Sequence, residues 1–564
     1  MNGVWAPYAQ SVELVCGGER AHLGGPDERG WWAAPAGFEL AGRTYGFSVD
    51  GGPVRPDPRS PLQPEGVHGP SAPVDHSAFA WTDARWTAPP LAEAVIYELH
   101  VGTFSGPGTF TGVLDHLEHL CELGVTHVEL MPVAQFPGRW GWGYDGVDLF
   151  APHGGYGTPG ELKALVDGCH ARGLAVLADV VYNHLGPSGN YLGTFGPYFT
   201  DRYGTPWGQA VNLDGPDSDQ VRAFFVDNAR MWLDDYHFDG LRLDAVHAIL
   251  DTSAVHLLEE LAGSVPPHRV LIAESDLNDP RLVRPVEAGG YGLDAQWSDD
   301  LHHSLHALLT GERTGYYADF GSLADLAKAL RQAFVYDGRY SRSRRRRHGR
   351  PPLGVPPSRF LGYAQTHDQV GNRAQGERLV HLAGEGGARV AAALVLCSPF
   401  VPMLFQGEEW GASTPFQYFT DHEDADLGRA VSEGRRREFA AFGWAPEEVP
   451  DPQDEATFER SRLRWDEVGG EPHAGLLDWH RRLVALRRDR GLHASGRAGP
   501  AEVTYDEQAR WLVLDRQAVA VAVNFGTAEV SVPVRAGEVL MAWGDAGQAT
   551  GALRLGPGAV AVTG

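Results

Sequence analysis

Four short segments of this chain end apolar runs in side chains able to do acid–base or nucleophilic chemistry. They are Asp179, Asn183 and His184 in DVVYNH, Arg242 and Asp244 in GLRLDAVH, Glu274 in AES, and His367 with Asp368 in THD. Each polar group interrupts or ends a hydrophobic stretch, so its burial needs a reason. One reason is a buried salt-bridge network, for example Arg242 with Asp179. The other is a reaction site. For any single residue both readings stand, and four segments of one character favour a site for the set.

Carboxyl groups in such a set suit the cleavage of a glycosidic bond, which needs two of them across the scissile bond. One must stay protonated near neutral pH, in surroundings that disfavour its anion. The other must stay ionised to attack the anomeric carbon. Arg242 lies two residues before Asp244, so the two side chains share one face of a strand and Arg242 would hold Asp244 ionised. Glu274 follows Leu-Ile-Ala without an adjacent basic residue and suits the acid. Asp368 suits either stabilisation of positive charge on the sugar ring or binding of its hydroxyls. His184 and His367 are candidate hydroxyl partners.

A scaffold must deliver these residues to one place. From about residue 90, strands alternate with helices, and residues 95–99, 127–131, 174–181, 240–243, 270–273, 293–296, 360–363 and 401–405 have the length and polarity of parallel barrel strands. The reactive residues collect at the carboxyl ends of strands three, four, five and seven, where (β/α)8 barrels keep their sites. A helix is expected over residues 113–121, stopped at Gly124. Another opens at Thr158-Pro-Gly-Glu161 with a capping box and ends at Gly173. The α/β barrel therefore spans residues 89–495, with an insertion after strand three at 185–222. Residues 1–88 read as an N-terminal β-sandwich of carbohydrate-binding type, and residues 496–564 as a C-terminal β-sandwich. The Pro-rich stretch 56–71 is expected to lie extended over a neighbour.

The 564 residues carry 47 basic and 73 acidic side chains, a net charge of −26. That field repels nucleic acid and anionic membranes and suits a neutral substrate. The basic run after Ser341, RSRRRRHGR, reads as a solvated loop near anionic groups of the same chain. No signal sequence or membrane-spanning run is visible at the sequence level. Cys16, Cys121, Cys169 and Cys397 are scattered without a C-x-x-C pair, which fits free thiols in a reducing cytoplasm. A monomer is expected. The 16 Trp and 18 Tyr fit either core packing or sugar stacking.

In order and spacing, DVVYNH, GLRLDAVH, AES and THD resemble the four motif regions of the α-amylase family, glycoside hydrolase family 13. The resemblance implies that Asp244 is the nucleophile, Glu274 the acid/base and Asp368 the transition-state stabiliser. Tyr144, in WGWGYDGV beside Asp145, resembles the tyrosine that stacks under the −1 sugar. Thr366 departs from the Asn of many members and leaves the carboxylates untouched. Asn183 matches a calcium-binding position of many α-amylases, but further calcium ligands are not recognisable, and no metal or cofactor is expected.

Longer segments are similar to the maltooligosyltrehalose trehalohydrolase family: residues 131–152, 202–215, 296–306, 367–373, 405–410 and 415–422, so the likeness spans nearly the whole chain. It implies a retaining hydrolase that cleaves the α-1,4 bond beside a terminal α,α-1,1-linked glucose pair, releasing trehalose from maltooligosyltrehalose. Branching enzymes share the carboxylates but usually continue with Glu-Val after the strand-seven His-Asp, where this chain has Gln369-Val-Gly-Asn372. A branching transferase and a general α-amylase stay as alternatives. Recognition of the 1,1-linked pair is expected from His247, Asp299, Asp300, His302, Gln369 and Asn372, on loops after strands four, six and seven. Helix caps in a solvated loop are the plainer reading of each.

Overall fold

The computed structural model describes residues 3–440, 444–493, 501–535, 537–549 and 551–564. Eight parallel strands, each paired with its sequence neighbour, close into a barrel through β8 and β1. They are β1 (Ile96–Leu99), β2 (His127–Leu130), β3 (Ala175–Val180), β4 (Gly240–Leu243), β5 (Val270–Ala273), β6 (Ala295–Trp297), β7 (Phe360–Tyr363) and β8 (Val401–Phe405). β1 to β4 are buried along their whole length, as parallel strands covered on both faces are, although each carries a charged residue, Glu98, Glu129, Asp179 and Arg242. β6 begins later than its apolar run. Asp294 is diverted to pair with Leu271 through both its amide and its carboxylate, and Trp297 joins the strand instead.

The helix expected over 113–121 is two helices, α1 (Phe110–Leu114) and α2 (Leu117–Leu123). His116 leaves helical geometry between them and stacks on Trp465, with ring centroids 3.9 Å apart. Gly124 ends α2 with φ +88°, a left-handed turn that glycine adopts without strain. α3 (Pro159–His170) starts with the capping box: Thr158 Oγ1 accepts from Glu161 N, and the Glu161 carboxylate accepts from Thr158 N. It buries Leu162, Leu165, Val166 and Cys169.

The N-terminal segment forms two small antiparallel sheets, Gly3–Trp5 with Trp31–Ala33, and Val12–Cys16 between Glu19–His22 and Tyr45–Val49. Their aromatic residues pack on the insertion after β3, Trp5 against Tyr198 and Phe47 against Phe195. Within that insertion Phe199–Thr205 and Gly208–Val211 form a hairpin. The Pro-rich stretch crosses to α4 (Ser218–Asp234), where Arg59 pairs with Asp227 at 2.8 Å and lies over Phe150 and Phe224.

Beyond β6 come α5 (Asp299–Thr310) and α6 (Leu323–Gln332), then the hairpin that carries the arginine run, Asp337–Ser341 with Arg346–Gly349. α7 (Leu379–Leu396) has the length and apolarity of a membrane span, yet Val390 to Leu396 are packed in a core with Trp479 and Leu483 of the long helix His473–Asp489. A five-stranded and a three-stranded antiparallel sheet follow. Alternation along the strands divides two cores: Leu512, Leu514, Val521 and Val523 join the α7 cluster, whereas Val513, Ala520 and Ala522 pack with Val532 and Leu553 of the other sheet. The boundary placed at residues 495 and 496 lies outside the described residues.

Candidate active site

Arg242 is the hub of the site. It projects from β4 into the barrel and is fully buried, so its charge must be met by anions. Nη1 lies 2.9 Å from both oxygens of Asp179 and 2.7 Å from Asp244 Oδ1. Nη2 stands 3.8 Å from Glu274 Oε2, a longer and weaker contact. The guanidinium also rests on the face of Trp297, 4.4 Å from its centroid.

This unequal reach separates the two carboxyl groups. Burial alone would raise the Asp244 carboxyl; Arg242, His184 and the Asn183 amide outweigh it and hold Asp244 below the ordinary range. Asn183 Nδ2 donates to Asp244 Oδ2 at 2.7 Å and to its backbone oxygen at 2.8 Å. Glu274 goes the other way. Burial raises it well above the ordinary value and outweighs the opposing pull of Arg242, and Asp244, Asp368 and Asp299 add repulsion. One carboxylate and one carboxylic acid at adjacent strand ends are the pair that glycoside cleavage requires. Asp179 is raised to about 6, by burial against the pull of Arg242.

The opposite wall comes from β7 and β1. His367 Nδ1 pairs with Glu98 Oε1, and its backbone N–H donates to Glu98 Oε2 at 3.0 Å. His367 Nε2 lies 2.8 Å from the Tyr144 hydroxyl, which donates to Asp179 Oδ2 at 2.6 Å. The Tyr144 and His367 rings stack at 5.1 Å. Asp368 is the open member of the set, with 41 % of its side chain exposed against 12 % for Asp244 and 13 % for Glu274.

Several sequence-predicted residues converge here. Asp299 Oδ1 accepts from Tyr363 Oη at 2.7 Å and from Gln369 Nε2 at 3.2 Å, and Asn372 Nδ2 reaches Asp368 Oδ1 at 3.3 Å. His184 Nε2 meets the Tyr144 carbonyl at 3.1 Å and the ring stacks on Trp207 at 4.3 Å. Asp145 is half-buried, 3.9 Å from His422. His247 is half-buried, and Asp276, close by, is held low against burial by it and Arg344. Arg344 itself pairs with Asp276 at 2.9 Å, so the arginine run does meet an anion of its own chain.

Asp300 and His302 turn away into the protein. Asp300 Oδ2 accepts from Asn278 Nδ2, Val335 N and Tyr336 N at 2.7 to 2.8 Å, and the residue is buried. His302 is buried too, bonded to the Ala364 carbonyl and the Tyr317 hydroxyl. Asp299, at the start of α5, faces the cleft, and Asp300, turned about 100° round the helix from it, points into the packing. His302, one turn on from Asp299, is instead covered by Ala364 and Tyr317. Among the described residues, no group of three or more His, Cys, Asp or Glu is arranged to hold a metal ion.

Sequence reasoning passed over Glu98 and Glu129, acidic residues inside β1 and β2 that break apolar runs as Asp179 does; the same signal would have found them. It also missed Trp207 on the insertion hairpin. Arg435 was missed as well; from helix α8 (Ala425–Ala440) it reaches the Gly371 carbonyl and Asn372 Oδ1. Nothing local in sequence marks either as part of the cleft.

Residues 77–194 match the family model described as the α-amylase catalytic domain, and residues 496–562 match a domain of unknown function, DUF3459. Barrel, carboxylate pair and domain match together define a glycoside hydrolase of the α-amylase type. The chain is 52 % identical to the malto-oligosyltrehalose trehalohydrolase of Arthrobacter ramosus, covering 99 % of this chain and 98 % of that one. It is 49 % identical to the enzyme of that name from Rhizobium sp. (strain M-11), over 96 % and 94 % of the two chains. A crystal structure of a putative α-amylase from Salmonella typhimurium superimposes with a TM-score of 0.91 at 38 % identity, covering 100 % of this chain and 97 % of that one. The chain belongs to the malto-oligosyltrehalose trehalohydrolase family.

Proposed function

We propose that this enzyme hydrolyses the α-1,4-glucosidic bond next to the terminal trehalose unit of maltooligosyltrehalose, with retention, releasing trehalose and a maltooligosaccharide. The observation that carries the chemistry is the Arg242 contact set, which ionises Asp244 and leaves Glu274 protonated. Glu274 protonates the glycosidic oxygen while Asp244 attacks the anomeric carbon; trehalose leaves, and Glu274, now a base, activates the water that frees the glycosyl group. Asp368 faces the developing positive charge. Tyr144 supports the −1 sugar, and Asp299, Gln369 and Asn372 are placed to bind hydroxyls beside Asp368.

The full-length likeness to two trehalohydrolases supports the substrate assignment over the branching and general amylase readings. The four free cysteines support a reducing, cytoplasmic setting, and the enzyme acts as a monomer on a soluble oligosaccharide without metal or cofactor. The test is an incubation with maltotriosyltrehalose read by chromatography, alongside Asp244→Asn. Trehalose and maltotriose from the wild type, and almost none from the variant, support the proposal. New α-1,6 branches would mark a transferase, and random α-1,4 cleavage without trehalose a general amylase.

A further inference from the structure

The hydrogen bonds around His367 fix the protonation of its ring. Asp179 takes Arg242 Nη1 on both oxygens, and with its carboxyl raised to about 6 it is a carboxylate, an acceptor only, above that pH. The single phenolic proton of Tyr144 goes to Asp179 Oδ2, 2.6 Å away. The Tyr144 oxygen must then accept from His367 Nε2, at 2.8 Å. On the other side of the ring Nδ1 faces the Glu98 carboxylate, which also takes the His367 backbone N–H. Both ring nitrogens are donors, so the ring is an imidazolium. Its Nε2 lies 3.5 Å from Asp368 Oδ1.

We propose that Glu98 is a positioning residue of this site: its carboxylate keeps His367 a cation, oriented to lock Tyr144 and to face Asp368 with positive charge. The assignment rests on the glycosidase reading of Asp244, Glu274 and Asp368. Without the Glu98 anion the site would hold a neutral ring. Nε2 could then lose its proton, the Tyr144 hydroxyl would lose a donor, and Asp368 its neighbouring cation.

The charges around the ring agree. Burial would lower the His367 ring, but Glu98 and Asp368 outweigh it and lift it to about 9. Arg242 opposes them from β4. Burial lowers neighbouring His100 to about 3, so it is uncharged. Glu129 on β2, raised well above the ordinary value by burial and by the Glu98 and Asp179 charges, is a neutral acid. Glu98 and Asp368 are thus the anions that hold the imidazolium, with Asp179 acting through Tyr144.

The test uses the full chain as wild type, Glu98→Gln and Glu98→Asp, with melting curves to establish folding. Wild-type cleavage of maltotriosyltrehalose is measured first. If no trehalose appears, the proposed function fails, and the series continues on whichever α-1,4-glucan the wild type cleaves. kcat and KM are then followed from pH 5 to pH 9. Glu98→Gln should lower kcat more than it raises KM, and its basic limb should fall by at least about one pH unit, because the ring then loses its proton before Glu274 does and sets the limb in its place. Glu98→Asp should keep the wild-type basic limb and recover part of kcat. A Glu98→Gln rate lowered by one factor at every pH, or not lowered at all, overturns the assignment. If Glu98→Gln does not fold, Glu98→Asp decides it: a displaced basic limb in that charged variant overturns it, and an unmoved one supports it.

Discussion

The amide of Ala245 donates to Oε2 of Glu274 across 2.6 Å, from a backbone in the left-handed region with φ +38°. Ala245 directly follows Asp244, so the strand that supplies the proposed nucleophile also grips the proposed acid one strand away. A non-glycine residue in this region costs on the order of 1–3 kcal/mol, which the surrounding structure must offset. The strain sits between the carboxyl groups of Asp244 and Glu274 and ties the position of one to the other.

Ala245→Val tests this grip. A β-branched side chain resists the left-handed region more strongly than alanine does. The amide should swing away from Glu274, and kcat should fall about tenfold or more with little change in KM, since a loss of ~1.4 kcal/mol in the transition state is tenfold in rate. Ala245→Gly, which tolerates the same φ, should keep most of the activity. Steady-state kinetics on folded protein decide it, and a wild-type kcat in Ala245→Val would remove Ala245 from this role.

Rate should follow a bell in pH. Asp244 lies below the ordinary carboxylate range, so activity survives acidification until well under about pH 4. Glu274 lies well above it, so activity persists beyond the ordinary carboxylate range and is lost as pH rises through the raised value. The two apparent constants belong to the coupled pair. Glu274→Asp should move the basic limb of kcat/KM far more than the acid limb. A basic limb that ignores changes at Glu274 would take the acid role away from it.

The carboxylates of the candidate site, Asp244, Glu274 and Asp368, were legible because each stands at or just beyond the end of an apolar run that forms a barrel strand. Asp300 and His302 show where that legibility stops. Adjacent positions on α5 read alike as sequence, and only the rotation of the helix against β7 decides that Asp299 meets Tyr363 while Asp300 caps the Val335 and Tyr336 amides. The broken helix at His116 depends on Trp465, hundreds of residues away, and Arg435 reaches Asn372 from a helix beyond β8. Such contacts are tertiary, and no local pattern encodes them.

Asp299 and Asp300 should therefore separate in experiment. Asp299→Ala should lower kcat/KM on maltotriosyltrehalose more than on maltopentaose, because buried hydroxyl partners left unpaired discriminate strongly. Asp300→Ala should act on stability, orphaning three buried donors at ~1–3 kcal/mol each. Its melting temperature should drop by several degrees, with the substrate preference of the remaining folded enzyme unchanged. Equal effects of both substitutions on the substrate ratio would contradict the distinction.

Glu129 predicts a pH-dependent stability. Both its oxygens are buried without a hydrogen-bond partner, and its folded pKa is raised well above the ordinary value. Between the ordinary value and the raised one the unfolded chain carries this group as an anion while the folded chain holds it protonated, so the folded state binds more protons and stability falls as pH rises above about 4.3. Glu129→Gln removes that slope. Its melting temperature should gain on the wild type steadily from pH 5 to pH 8; a constant difference would show that Glu129 is ionised in the folded protein.

Proton NMR during the first minutes of maltotriosyltrehalose hydrolysis reads the bond cleaved and the stereochemistry together. Cleavage beside the trehalose unit through a covalent Asp244 intermediate requires trehalose to appear in step with the α-anomer of maltotriose, before mutarotation supplies the β-anomer. Initial release of β-maltotriose, or consumption of the substrate without trehalose, would contradict the account.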